Sequence, residues 1–387
     1  MQDRVPLYPG RVTLTPVAGQ ENTFDMVRAD QPTQEGTPLN KATLLKDVTA
    51  SILGLPNTAV PDDAFLALTI GVGTYGFRVK IQLADGTPVE GATVSGITAL
   101  TGSTLVSGAD GIVLGKSTSK TVTIGCTSPY IDQAAPASQS VTATGTITDV
   151  TLTLTSITDM ITVTSSKTTK VSPMAKTMDV TAVGGGGGGG GYNQNSRYDG
   201  AGAGGGGGYV STKLDVVCAD KLLKIALGGS GWGSNYADGN VSAGGSGGDT
   251  SLQIDGVLAL TANGGKGGAG GSSGPTAGGS GNGSGGNGGR YENVAQPGGS
   301  GSGYIFNDSS LGRAGGGGGG GGFSGNGTID AKAKSGGLPY GGKGGTQDGT
   351  PSGTSGSGPG GGGGGAGGTN GNGGSGGSGQ MYFRFHF

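Results

Sequence analysis

The apolar positions of this chain fall into three regimes, and each predicts different elements. Near the start, Leu39, Ala42, Leu45, Val48 and Ile52 recur at helical spacing, which puts one narrow apolar stripe on a helix. Thr37 suits its N-cap, Pro38 its first position, and Gly54 with Pro56 just beyond ends it. A second, shorter helix is expected from about Pro61 to Leu68. Ahead of both, the turn at Pro9 and Gly10 leads into a short alternating strand that ends at Thr15. From Tyr75 the period becomes two. Phe77, Val79, Ile81 and Leu83 alternate with polar neighbours, the mark of a half-buried strand. Strands are expected again at 89–94, 111–114, 120–126 and 148–154, with turn residues between them, as in an immunoglobulin-like β-sandwich. The segment from Thr158 to Met178 reads as one strand leading onward, followed by a β-like stretch at 177–183.

After Val183 the hydrophobic pattern stops and glycine takes over. Most of the 95 glycines lie beyond this point, beginning with an unbroken run from Gly184 to Gly191. Further pure runs occupy 204–208, 315–322 and 360–365. Glycine loses more backbone entropy on ordering than any other residue, so composition alone suggests a linker. Three features oppose that reading. Gly-Gly-x triplets recur in phase, at 264–272 and again at 367–369 and 373–378. An extended helix of the polyproline-II type has three residues per turn, so such triplets put every side chain on one edge and leave two edges of bare backbone. Neighbouring helices can then pair their N–H and C=O groups, which must find partners if buried, with weak Cα–H···O contacts in support. Strand-like segments also interrupt the tracts, at 209–217, 221–227 and 251–260. Finally, the chain closes on an alternating strand, with Met381, Phe383, Phe385 and Phe387 on one face and Tyr382, Arg384 and His386 on the other.

The expected fold is therefore mainly β. It comprises a small helical N-terminal segment over residues 1–72, an immunoglobulin-like sandwich over 73–157, and a β-framework carrying a polyglycine-II helix bundle over 158–387.

Composition narrows the function classes. Charged residues make up only 12% and the net charge is −2, which gives no reason to expect nucleic acid or an anionic membrane as partner. No stretch reaches the ~20 apolar residues that span a bilayer, so no membrane insertion is expected. The opening residues lack the apolar core of a secretion signal, so the expectation is either assembly in the cytoplasm of the producing cell or export by a route that the sequence does not mark. Cys126 and Cys218 stand far apart and read as two buried free thiols.

Catalytic chemistry is poorly provided for. The single histidine, His386, stands next to the last residue, and nothing in the sequence marks an orienting carboxylate or a nucleophile for it. One His and two distant Cys do not make a zinc site, and no metal or cofactor is expected. The stretch from Gly108 to Ser117 has the wrong spacing for a phosphate loop and no following helix. Asp-Gly pairs at 199–200, 238–239 and 348–349 lack calcium-loop spacing and read as turns. Recognition is what remains. Aromatic and polar clusters interrupt the glycine tracts, and Tyr192, Arg197, Tyr198, Trp232, Asn235, Tyr236, Tyr291 and Tyr340 are the candidate binding residues. Rings flanked by amides and Arg suit sugars or protein surfaces. Tyr304, Phe306 and Phe323 are instead expected to cap the bundle ends or fill its boundary with the β-framework.

Three stretches carry a resemblance. Tyr8-Pro-Gly-Arg-Val-Thr-Leu-Thr-Pro16, Phe24-Asp-Met-Val-Arg-Ala-Asp30 and Gly36-Thr-Pro-Leu-Asn-Lys-Ala-Thr-Leu-Leu45 resemble the N-terminal segment of tail fibre and tail-tip proteins of phages and prophages of Gram-positive gut bacteria. Asp85-Gly-Thr-Pro-Val-Glu-Gly-Ala-Thr-Val94 resembles the immunoglobulin-like modules of bacterial surface proteins and phage tails. A strand running into poly-Gly, with a terminal aromatic strand, is similar to the glycine-rich domains that end many phage tail proteins.

The resemblance implies a non-enzymatic virion protein. Its N-terminus would attach to other tail or baseplate proteins, and loops of its glycine-rich tip would meet a bacterial surface glycan or protein receptor. It also implies a homo-oligomer, a trimer by analogy, with Leu39, Leu45, Val48 and Ile52 as oligomer or attachment contacts. The alternative is a purely structural tail component whose glycine domain extends or assembles the fibre without binding a receptor.

Overall fold

In the computed structural model, the described residues are 58–70, 74–100, 103–145, 147–191, 203–235, 242–270, 352–366 and 371–387, with a few short strands and single residues elsewhere. The fold is mainly β. By its internal contacts the chain divides into two units, Met1–Thr127 with Ala135–Leu154, and Ser128–Ala134 with Thr155–Phe387.

In the first unit, strands Val12–Pro16 and Phe24–Arg28 pair as an antiparallel hairpin. The helix expected at Pro61 is α1 (Pro61–Ile70). Its start is fixed by Asp63, whose Oδ2 accepts the Val60 amide at 2.9 Å, and by Pro61 at the first helical position, where no N–H is required. The helix expected over 37–52, with Leu39, Leu45, Val48 and Ile52, lies outside the described residues. Seven strands follow: β1 (Tyr75–Gln82), β2 (Thr93–Ser95), β3 (Thr98–Ala99), β4 (Ile112–Ser117), β5 (Thr121–Thr127), β6 (Gln139–Thr142) and β7 (Ile147–Thr153). They form one sheet in the order β7-β1-β4-β3 and another in the order β6-β5-β2. The alternation read from the sequence holds: Phe77, Val79, Ile81 and Leu83 are buried, with Val113, Ile124, Leu152 and Leu154.

The second unit is built on two four-stranded sheets. The strands of these two sheets are β8 (Ile161–Val163), β9 (Lys167–Lys170), β10 (Thr177–Val183), β11 (Val210–Val217), β12 (Leu222–Ala226), β13 (Thr250–Ile254), β14 (Val257–Ala262) and β15 (Gln380–His386). The sheet orders are β8-β15-β10-β11 and β9-β12-β13-β14. Met178, Val180, Ala182, Leu223, Ile225, Leu252, Met381, Phe383 and Phe385 make the apolar core of this framework. The rings of Phe383 and Phe385 stack with centroids 5.9 Å apart.

Three expectations need correction here. The segment from Thr158 to Met178 is not one strand but β8, β9 and the start of β10. The segment 251–260 is a hairpin, turning at Asp255 and Gly256, whose φ values of 49° and 81° are the pair that a two-residue type I′ turn requires. Tyr382 was expected on an open polar face, yet it is only 6% exposed and packs with Val183, Met160 and Val210. β15 lies between β8 and β10, so both of its edges are paired, and Met160, Val183 and Val210 cover the ring of Tyr382 on that face.

Each sheet strand that ends in glycine passes into an extended helix, and the hydrogen bonds give the helix period directly. Helix I (184–191) donates from Gly184, Gly187 and Gly190 to Tyr209, Gly206 and Ala203 of helix II (203–209). From Gly185, Gly188 and Gly191 it donates to Gly248, Gly245 and Ser242 of helix IV (242–249), and from Gly186 and Gly189 to Gly377 and Gly374 of helix VIII (371–379). Its carbonyls accept from Gly231 and Ser234 of helix III (228–235), from Gly265 and Gly268 of helix V (263–270), and from Gly363 and Ala366 of helix VII (360–366). Every partner recurs at every third residue, the period of a polyglycine-II helix, over N···O distances of 2.7–3.1 Å.

The same bonds order the neighbours into a closed ring around helix I: II, V, IV, III, VIII, VII and back to II. Residue numbers run oppositely across each link, as where Gly206 donates to Lys266 and Ala203 to Ala269. Ring neighbours are therefore antiparallel, and helix I is antiparallel to the three helices it donates to and parallel to the three that donate to it. A further short segment, helix VI (352–357), binds outside VII and VIII through Gly353 to Asn372, Gly356 to Ser375 and Gly364 to Thr354.

This arrangement explains why helix I contains nothing but glycine. All three of its edges face backbone. A Cβ placed on Gly184 to Gly190 would lie 1.9–2.2 Å from a carbonyl oxygen of helix V, III or VII, where no carbon side chain fits. Helices III, IV and V of the ring keep one edge in solvent, whereas the glycines of helices II and VII are buried throughout. Along helix IV the exposed residues are Ala243, Ser246 and Asp249, and on helix V Lys266 is exposed while Gly265 and Gly268 are buried. The in-phase triplets at 264–269 thus turn Lys266 outward, as their spacing predicts, whereas Ser375 in the triplets at 373–378 is half-buried, its hydroxyl accepting the Gly233 amide.

Candidate functional site

The two ends of the bundle differ in what the chain does there. Strands β10, β12 and β14 feed helices I, III and V, and helices II, IV and VIII return into β11, β13 and β15. The sheets thus stand at one end, where Thr250 ties the transition. Its fully buried hydroxyl donates to the Val183 carbonyl at 2.7 Å and accepts the Gly228 amide at 2.9 Å. At the other end stand Gly191, Ala203, Asn235, Ser242, Gly270, Ala366 and Gly371, the described residues that terminate these helices. At about 3.1 Å per residue, seven steps of helix I hold this distal face about 22 Å from the framework.

Of the eight candidate binding residues, Trp232 and Asn235 have described side chains. They stand three residues apart on helix III, hence on the same edge and one turn, about 9 Å, from each other. Both are exposed, Trp232 by 61%. The indole covers Gly245 of helix IV: a Cβ there would meet Nε1, Cδ1 and Cε2 of the ring at 2.4–2.7 Å. One ring face thus rests on glycine backbone and the other is free to solvent. A rigid aromatic plate beside an amide is the kind of surface on which sugar rings or apolar protein side chains settle. Tyr192, Arg197, Tyr198, Tyr236 and Tyr340 lie outside the described residues, as do Tyr304, Phe306 and Phe323. Of Tyr291 the backbone alone is described, in the two-residue strand Arg290–Tyr291 paired with Ala295–Gln296.

Two further readings bear on chemistry. Both cysteines are free thiols, as expected, but only Cys218 is fully buried, whereas Cys126 is half-buried. Burial pushes the Cys218 thiol up to about 12, with the charge of nearby Asp132 adding to it, which makes it a poor nucleophile. His386 does have the carboxylate that the sequence did not reveal: Asp179, distant in the chain, meets its Nε2 at 3.0 Å. The stretch resembling a phosphate loop runs into strand β4, with no helix to follow.

A family model described as a glycine-rich domain matches residues 162–386. No curated protein matches the chain.

Proposed function

The chain belongs to the glycine-rich domain family, and from that premise we propose that it is a phage tail fibre or tail-tip adhesin. In this reading its N-terminal segment attaches to tail or baseplate proteins, the sandwich acts as spacer, and the distal face of the glycine bundle recognises a glycan or protein on the host surface. The observation that carries the reading is the division of the bundle into two ends. One end is tied into sheets, and the described residues that flank the sequence positions of Tyr192, Arg197, Tyr198 and Tyr236, namely Gly191, Ala203, Asn235 and Ser242, lie at the other. Binding groups borne on a rigid scaffold are the common arrangement for recognition. Trp232 and Asn235 supply a ready contact edge beside them. The function proposed is binding rather than turnover.

Two measurements test the proposal. Gold label on the distal segments should mark the outer end of the tail in intact virions; label at the tail–capsid junction would overturn the attachment polarity. Purified full-length chain should bind host cells saturably and block phage adsorption. Trp232→Ala, Tyr198→Ala and Tyr236→Ala should weaken that binding with melting unchanged. A folded chain that sits at the tail tip and binds no host cell would leave the structural, non-binding role as the correct one.

A further inference from the structure

On the outer face of the sheet β8-β15-β10-β11, side chains from three strands converge. Asp179 belongs to β10, Asp215 to β11 and His386 to β15. The pairing of β10 with β11 is regular except at Asp179, where register passes from Met178 opposite Val216 to Val180 opposite Lys213. Leu214 and Asp215 together stand against Asp179, which is a β-bulge, and bulges re-aim the side chain they carry. Asp215 has φ of 52°, a left-handed conformation that Asp tolerates better than most residues.

The bulge also orients its neighbour. The Asp215 amide donates to Asp179 Oδ1 at 3.0 Å, and the other oxygen, Oδ2, faces His386 Nε2 at 3.0 Å. One ligand atom from each of the three residues lies within 4.8 Å of the others. Nitrogen and oxygen ligands sit about 2.0–2.2 Å from a zinc-sized ion, so their mutual spacing in a closed site is about 3–4 Å. The three groups are therefore close to the separation at which they share one ion, and a backbone amide already holds one carboxylate in place, as outer-shell partners do in metal sites.

We propose that Asp179, Asp215 and His386 form a binding site for a divalent transition ion of the zinc type, with water completing its coordination. The imidazole sets the class. Two carboxylates without it would suit calcium or magnesium, whereas a nitrogen ligand favours zinc and its transition-metal neighbours. Arg384, the register partner of Asp179 on β15, adds a positive charge nearby and disfavours weakly held cations. The ion would join the last strand, β15, to β10 and β11 by ligand bonds additional to the ladder.

The chain offers an unusually clean test, because it contains a single histidine. Zinc chloride is titrated into untagged full-length protein at pH 7.5, followed by calorimetry and by the imidazole nitrogen resonances of histidine-labelled protein. One zinc per chain, an imidazole shift that saturates at the same ratio, and a raised melting midpoint reversed by EDTA are expected. Calcium and magnesium at equal concentration should do none of this. Asp215→Asn, which keeps the left-handed backbone accessible and the fold intact, should weaken zinc binding at least tenfold, and His386→Asn should abolish it. Imidazole signals unmoved by zinc, undiminished binding in Asp215→Asn, or equal affinity for calcium would each overturn the proposal.

Discussion

Substituting Gly188 by Ala is the sharpest test of a core made of hydrogen-bonded backbone. The new Cβ would stand 2.0 Å from the Trp232 carbonyl oxygen, 2.4 Å from its carbon and 2.8 Å from the Gly233 nitrogen. Ordinary contact begins near 3.4 Å, so helix III must retreat by more than about 1 Å. Two of its bonds to helix I, Gly231 to Gly186 at 2.7 Å and Ser234 to Gly189 at 3.0 Å, would then stretch past hydrogen-bonding distance. Each leaves buried polar groups unpaired at about 1–3 kcal/mol. The expected loss is about 2–6 kcal/mol, against a total stability on the order of 5–15 kcal/mol. Alanine lowers unfolded-state entropy too, but that gain is only about 0.4–1 kcal/mol.

Gly229, on the same helix III, is the matched control, because a Cβ there meets nothing within 4 Å and its φ is not positive. Gly229→Ala should be neutral or stabilising by up to about 1 kcal/mol. Urea unfolding followed by the fluorescence of Trp232, the chain's one tryptophan, compares the two directly. With m on the order of 1–3 kcal/mol per molar or above for a chain of this size, Gly188→Ala should lower the midpoint by about 1 M or more. A Gly188→Ala midpoint equal to the wild type, or an equal fall for Gly229→Ala, would refute the packing argument.

Three other outcomes follow from the same geometry. Thr250→Val removes the hydroxyl that serves both Val183 and Gly228 and should cost about 2–4 kcal/mol in thermal or urea melts, since both buried groups lose their partner. Phe383→Ala, at a fully buried position in a central strand, should cost about 3–5 kcal/mol; a loss under about 1 kcal/mol would mean that β15 is not a core strand. Because the folded-state Cys218 thiol is raised to about 12 from an ordinary value near 9, folding holds its proton more tightly than the unfolded chain does. Its contribution is full below about pH 9 and is lost as pH rises toward 12; native Cys218 should resist thiol reagents at about pH 8 and react only on unfolding, and Cys218→Ala should flatten the alkaline fall in stability.

Much of this fold is written in local periodicity. Alternation at Phe77 to Leu83 located β1, the run at 177–183 located β10, and the Gly-Gly-x phase at 264–269 assigned the outward edge of helix V correctly. What was not legible depends on contacts between distant segments. The Asp255-Gly256 pair is itself a strong turn signal, but apolar Val257, Leu258 and Leu260 carried the strand pattern through it. Tyr382 reads as the polar side of a half-buried strand, and only the packing of Met160, Val183 and Val210 on its ring shows why that position is covered. Likewise the candidate metal cluster needs a bulge at Leu214 and Asp215, which no residue pattern marks, and a partner for His386 from the other end of the glycine domain. The distal candidates Trp232 and Asn235 were visible as interruptions of glycine, but their sharing of one edge follows only once the three-residue period is fixed by the bonds of helix III.

The purity of a glycine run carries more information than its length. Helix I, the 204–208 part of helix II and the 360–365 part of helix VII are pure glycine and buried at every residue. Helices IV and V, written as Gly-Gly-x, keep one edge in solvent. An x residue on an enclosed helix would drive a Cβ into a carbonyl, as at Gly205 and Gly363, where the distance would be 2.2 and 1.9 Å. The run therefore records how many sides of a helix are covered: three for a pure tract, two for a triplet tract. Hydrocarbon cores tolerate exchange among residues of similar volume, but a backbone core admits one residue, and its bonds are directional. Side-chain variation is thereby confined to the outward edges and to the segments that leave the bundle. A scaffold of this kind can change what it touches without changing how it folds, which is the property the proposed recognition at the distal face requires.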